Sequence, residues 1–167
     1  PTVALLPRYP HAGELLIGLS DLQPQDSVSI LFQVADGSTN PDRAPEDLSW
    51  FVLCDNYWKP LTTAEVVLDT TNQLRTSGII QFVIPPEATR ENTILPSDRI
   101  WIKAEIANHA DAVCQLITVA ANAVAVQFVD RGNDPNHLLT PLPPGSLAKI
   151  KGGLTSVKVV SQPFASF

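Results

Sequence analysis

The sequence predicts an all-β protein: an antiparallel β-sandwich of jelly-roll-like type, followed by an extended, proline-rich connector. Three observations predict it. Fifteen of the 167 residues are proline, nearly twice the usual share, and proline breaks helices while sitting well at turns and strand edges. Short runs rich in Val, Ile and Thr recur with Gly, Asn, Asp and Pro between them, which is the strand-and-turn rhythm of a sandwich. No long segment repeats its apolar residues with the helical period. The hydrophobic share is 44% and the charged share 17%, enough apolar material to build a core.

The elements follow in order. Residues 15–19 form a short apolar run, Leu-Leu-Ile-Gly-Leu. Residues 28–34 follow a turn at Gln23-Pro24-Gln25-Asp26. A loop rich in Gly, Asn, Asp and Pro spans 35–47. Residues 48–54 read as a strand closed by Asp55-Asn56, where Asn56 suits the left-handed turn conformation; 57–61 then run back as the second arm of a hairpin. Residues 66–68 are marginal and compatible with helix. Residues 78–84 enter from the polar stretch DTTNQLRTSG through Ser77-Gly78 and stop at Pro85-Pro86. In 99–106 the alternation is clean: Ile100, Ile102, Ala104 and Ile106 share one face, and Trp101, Lys103 and Glu105 the other. Residues 113–120 and 123–129 read as a last pair, turning at Ala121-Asn122. That makes about eight strands within 1–130. Phe82 and Ile102, mid-strand on alternating positions, are expected in the core.

Beyond Asp130 the character changes. Asn133-Asp134-Pro135 and Pro141-Leu142-Pro143-Pro144-Gly145 hold neither ladder nor helix. The expected organisation is a sandwich domain over 1–130 and a connector over 131–167 leading to a following domain. The connector is too apolar for a free linker, with Leu147, Ile150, Leu154, Val157, Val159, Val160, Phe164 and Phe167; part of it is expected to pack on the sandwich, and residues 162–167 to dock on the next domain. A first residue Pro1 and the lack of any Met suggest a piece of a longer chain.

The net charge of −6 repels phosphate backbones, so nucleic acid is a poor partner. The least polar run, 113–129, contains Gln115, Asn122 and Gln127 and reads as strands, so no membrane span is expected. Cys54 and Cys114 lie outside any Cys-x-x-Cys spacing and are read as two buried free thiols in preference to a disulfide. Catalytic signals are missing: there is no Gly-x-Ser-x-Gly, no glycine-rich phosphate loop and no His-Glu-x-x-His. His11, His109 and His137 are scattered over apparent loops and read as solvated. Asp130-Arg131-Gly132-Asn133-Asp134 only faintly resembles a calcium loop; a turn whose Asx side chains bond their own backbone explains it better, as it does the stretch 36–42. No catalytic residue, metal or cofactor is expected. Trp50, Trp58 and Trp101 are the residues to weigh as a ligand platform or protein interface, against simple packing in the core or at its edge. Trp50 and Trp58 flank the Asp55-Asn56 turn and are expected near each other across the hairpin; Trp101 is the best candidate for partial exposure.

Asp21-Leu22 with Pro24, residues 27–33, WFVLCDNYWKPL and TNQLRTSGIIQFVIP together resemble the β-rich insert of baseplate J-like proteins, wedge components of contractile phage tails and related extracellular injection particles. FVDRGNDPNHLLTPLPPGSLAKIKGGLTSVKVVSQPFASF is similar to the connector of the same proteins, and the likeness runs from about residue 13 to 167. The resemblance implies a structural, non-enzymatic spacer or docking module with no catalytic residues to carry over. The partners it implies are other baseplate or wedge proteins, and the location is the bacterial cytoplasm during assembly, then the virion or released particle. The wedge-forming parts of such proteins lie outside this chain. The rival reading is a carbohydrate-binding sandwich for a cell-surface glycan.

Overall fold

A computed structural model describes residues 10–126, 129, 131–132, 136, 139–147 and 159–162. The chain divides into two compact units, Pro1–Ala125 and Val126–Phe167.

The first unit is a sandwich of two four-stranded antiparallel sheets. Its strands are β1 (Gly13–Leu19), β2 (Ser27–Val34), β3 (Leu48–Cys54), β4 (Tyr57–Pro60), β5 (Val66–Asp69), β6 (Gly78–Val83), β7 (Ile100–Ile106) and β8 (Leu116–Ala121). One sheet has the order β1-β7-β3-β4 and the other β5-β6-β2-β8. The only helical element among the described residues is a single 3-10 turn, Ala110–Ala112.

Alternation decides which residues face inward. On β7 the inward set is Ile100, Ile102, Ala104 and Ile106; on β2 it is Val28, Ile30, Phe32 and Val34; all are buried. Phe82 and Ile102 are wholly enclosed, as expected. The two sheets are joined at the centre by aromatic contact. Trp50 of β3 meets Phe32 of β2 at 5.7 Å between ring centroids and Phe82 of β6 at 4.9 Å, edge to face, a favoured ring geometry.

The turns follow local chemistry. Pro24 precedes Gln25, whose φ is 73°, and the turn closes with the Asp26 amide donating to the Gln23 carbonyl, as a type II turn requires. At the β3–β4 hairpin the left-handed residue is Asp55, φ 53°, not Asn56; Asn56 instead accepts the Thr93 amide through its Oδ1 at 2.8 Å. The 69–76 stretch is a left-handed turn. Asn72, Gln73 and Leu74 all have positive φ, which is costly for L-residues. Thr71, fully buried, holds it: its hydroxyl donates to Asp69 Oδ1 and accepts the Leu74 amide, while its carbonyl takes the Arg75 and Thr76 amides. The turn drives Leu74 into the core. Gly78 follows, and a Cβ there would stand 2.7 Å from the Thr70 carbonyl, so only glycine fits this close approach.

Two strand expectations are corrected. Residues 66–68 are strand, not helix: β5 pairs with β6 across a register shift between Val66 and Leu68. The pair 113–120 with 123–129 is not formed. β8 pairs with β2 instead, Asn122 turns the chain with φ 60°, and 123–126 carry no ladder; Gln127 and Phe128 lie outside the described residues. One strand gained offsets one lost.

Both cysteines are free and buried, and burial pushes the Cys54 thiol above its ordinary range, which disfavours the thiolate. In the second unit, residues 141–147 and 159–162 are extended and turn segments. Gln162 accepts the Gly145 amide on its carbonyl and the Leu147 amide on its side chain. Ile150, Leu154, Val157, Phe164 and Phe167 lie outside the described residues, as does all but Gln162 of the segment 162–167 expected to dock on a following domain.

Candidate functional site

The outer face of the β1-β7-β3-β4 sheet carries the densest arrangement of charged and aromatic side chains in the first unit. Register places them. Glu14 of β1 lies directly opposite Glu105 of β7, and like charges so placed repel. A lysine and a histidine lie against them. The Lys103 ammonium lies 2.7 Å from Glu105 Oε2 and 3.6 Å from Glu14 Oε1. His11 sits between the same carboxylates, with Nδ1 3.2 Å from Glu105 and Nε2 3.7 Å from Glu14.

Lys103 is only 6% exposed, although it points outward. Its cover is aromatic. On β3, Phe51 is its cross-strand partner, and the ammonium lies 4.9 Å from the Phe51 ring centroid and 5.0 Å from that of Trp58 on β4. Such distances are within cation–π range, where partly desolvated contacts are worth about 0.5–2 kcal/mol. Leu16 of β1, opposite Lys103 on its other side, is 41% exposed and completes the row Leu16–Lys103–Phe51.

The three tryptophans separate. Trp50 is a core residue, 5% exposed, and does not approach Trp58. The hairpin pairs Leu53 with Trp58, and Leu53 and Trp50 are an odd number of residues apart, so the two indoles point to opposite faces of the sheet. Trp58 and Trp101 share the outer face. Trp101 is half-buried, laid over Gly18 of β1 so closely that a Cβ there would touch the ring at 2.9 Å. Its Nε1 donates to the Pro96 carbonyl at 2.8 Å.

Sequence reasoning missed His11, Glu14, Phe51 and Gly18. His11 is no solvated loop residue; its side chain is 21% exposed and ion-paired when protonated. His11, Glu14 and Glu105 bring possible metal-ligating atoms within 4.8 Å of one another. Lys103, however, already supplies a cation at both carboxylates, and the two imidazole nitrogens address different carboxylates, which is not the convergent ligand set of a metal site. His109 lies 3.7 Å from Glu46; His137 lies outside the described residues. In the 36–42 loop the Asx turn is present: Asn40 Oδ1 accepts the Asp42 amide, and Asn40 donates to Asp111, which with Arg43 nearby holds that carboxyl below its usual range. Of the calcium-like stretch, Asp130, Asn133 and Asp134 lie outside the described residues.

Two hollows remain. One of about 200 Å3 is lined mainly by aliphatic groups such as Leu15, Val34, Leu74 and Val113 and is smaller than an ordinary small-molecule site. Another of about 400 Å3 is lined by Ser49, Thr62, Thr63, Asp69 and Gln73 among others, and there Gln73 Oε1 is already engaged with the Leu48 amide. Among the described residues no helix is long and apolar enough to cross a membrane.

No curated protein matches the chain. Residues 8–167 match the family model described as "Baseplate protein PVC11-like". The chain therefore belongs to the PVC11-like baseplate proteins, and is a baseplate component of contractile injection systems.

Proposed function

We propose that the chain is a rigid, non-enzymatic spacer and docking module of the baseplate wedge, and that it docks through the outer face of the β1-β7-β3-β4 sheet. One observation carries this. Phe51 and Trp58 are held in place around a nearly buried ammonium, beside the exposed Leu16. Aromatic anchors that are already ordered lose little entropy on association, and such residues dominate interface energetics. The sandwich of residues 1–130 is the module and 131–167 the connector. The finer kinship with the β-rich insert of baseplate J-like proteins, assembly in the bacterial cytoplasm, and passage into the virion or released particle belong to the same reading.

Glycan recognition is the rival. A sugar stacks on a bare aromatic face, and Lys103 already lies over one face of both Phe51 and Trp58, as Gly18 does for Trp101. Leu16→Lys and Trp58→Ala separate the two readings. Docking predicts at least a tenfold drop in incorporation into particles, with the fold intact and no binding on a glycan array. Wild-type incorporation of both variants overturns it, and glycan binding abolished by Trp58→Ala installs the rival.

A further inference from the structure

The sandwich has four edge strands, and three of them are guarded. β1 carries Glu14. β4 is four residues long and holds Lys59 and Pro60. β5 is equally short, broken by a register shift and ended by Asp69. Short length, charge, proline and irregular pairing are the ordinary means of keeping other strands away. β8 differs. Its six residues, Leu-Ile-Thr-Val-Ala-Ala, include no charge and no proline. Its irregularity, the extra residue Ile117 between the pairs Val34–Leu116 and Gln33–Thr118, sits at one end and leaves 118–121 in regular register with β2.

The side chains around this edge agree with it. Leu116 and Ile117 are exposed, the latter by 57%, and so is Val124. The outward residues of the neighbouring strands are Ser29, Leu31 and Gln33 on β2 and Ile79, Gln81 and Val83 on β6. With Thr118 and Ala120 they make an outer face without an ionisable group, on a chain of net charge −6.

We infer that β8 is a receiving edge, which in the assembled particle takes an uncharged, extended strand from another protein chain into the β5-β6-β2-β8 sheet. An open ladder is satisfied in full only by another strand. The absence of charge on this face selects a strand without charge, since a buried unpaired charge is expensive. Area decides between a free partner and a tethered one. A six-residue strand spans about 20 Å, and adding one strand along it buries well under the roughly 1,200 Å2 of a stable free-standing interface. Two free copies of this chain therefore do not dimerise through it, whereas a segment brought close by other baseplate contacts gains the effective concentration it needs. The inference rests on membership of the baseplate family and not on the aromatic face, which lies on the other sheet.

Hydrogen exchange on the chain alone and in assembled particles tests it. The expected result is fast exchange at outward-facing amides of 116–121 in the free chain and at least tenfold slowing on assembly. Ile117→Lys with Thr118→Lys, both at exposed positions, should keep the melting temperature of the wild type yet compete at least tenfold less well for places in the particle. Unchanged exchange on assembly, or full incorporation of the lysine variant, overturns the inference. So does protection already present in the free chain, whether dependent on concentration, which identifies a second copy, or independent of it, which identifies a segment of the same chain.

Discussion

The two outer faces of the sandwich share one core and differ in almost everything else. On the β1-β7-β3-β4 sheet, two glutamates brought together by register are bridged by a lysine that is itself roofed by Phe51 and Trp58. On the β5-β6-β2-β8 sheet, the outward positions of β2, β6 and β8 carry hydroxyls, amides and aliphatic groups. The inward halves of the strands look alike, since alternation needs only apolar residues at every second place. The outward halves are free to differ, and a scaffold protein gains two distinct surfaces from one fold. The first face holds its information in side chains, and the second in an open backbone edge.

The largest effect to expect is common to both faces. Phe82 is wholly buried and touches Trp50 of the opposite sheet. Phe82→Ala should cost about 3–5 kcal/mol in a denaturant titration and loosen both faces at once. A loss under about 1 kcal/mol would mean that the sheets do not share this core.

The next test breaks one face and spares the other. Glu105→Leu leaves the Lys103 ammonium with only the half-exposed Glu14, at 3.6 Å. Removing one partner of a buried pair is expensive; with Glu14 still close, a cost of about 1–3 kcal/mol is expected. Adding Lys103→Met should recover most of it, because an apolar pair of similar size replaces a buried ion pair well. Gln81→Leu on the second face should stay within about 0.5 kcal/mol. If Glu105→Leu and Gln81→Leu cost the same, the contrast between the faces is one of composition only.

How much of this was legible beforehand depended on whether a feature is local. β3, β4 and β7 have the bounds that alternation and turn residues announce, to within a residue. The separation of Trp50 from Trp58 was also legible, though by counting: a two-residue turn at 55–56 pairs Cys54 with Tyr57 and Leu53 with Trp58, which puts Trp50 on the other face. β5 was not legible, because Val66-Val67-Leu68 has no period of its own and becomes strand through the edge that β6 offers. Conversely, Ala123-Val124-Ala125-Val126 alternates, yet beyond one bond from the Ala123 amide to the Ser29 carbonyl it forms no ladder among the described residues, and alternation alone does not make a strand. The ionic cluster was out of reach. Glu14 and Glu105 are distant in sequence, and only the β1–β7 register brings them together. The left-handed run Asn72-Gln73-Leu74 was equally hidden, since only Asn72 is of a type that favours that conformation.

A smaller effect sharpens the account of the second face. Gln33 points outward there, and its Oε1 is buried with no hydrogen-bond partner among the described residues. An unmet buried acceptor costs about 1–3 kcal/mol, so Gln33→Leu should leave stability unchanged or raise it by about 1 kcal/mol. A clear loss in chemical denaturation would show that the amide has a partner that matters, and that this face is more polar in action than its composition suggests.

The smallest effect lies at the rim of the first sheet, where Lys59 of β4 meets Glu87 of the loop after β6 at 2.8 Å. The hydrogen bond from Lys59 lowers the Glu87 carboxyl below its ordinary range, and the same bond to Glu87 raises the Lys59 ammonium above its own. The signs define a window. A carboxyl depressed in the folded state stabilises it fully above the unfolded value and loses that contribution as pH falls through the folded one; an elevated ammonium contributes fully below its unfolded value and loses it as pH rises through the folded one. Melting curves of wild type and Glu87→Gln should therefore differ by a constant small amount between about pH 5 and 10 and converge at both extremes. Because the pair is open to solvent, 1 M salt should shrink the gap throughout. A gap that changes in mid-range, or that salt leaves untouched, would place the effect elsewhere. The second face offers a built-in control, since none of its outward residues on β2, β6 and β8 titrates, and Gln81→Leu should shift the melting curve equally at every pH.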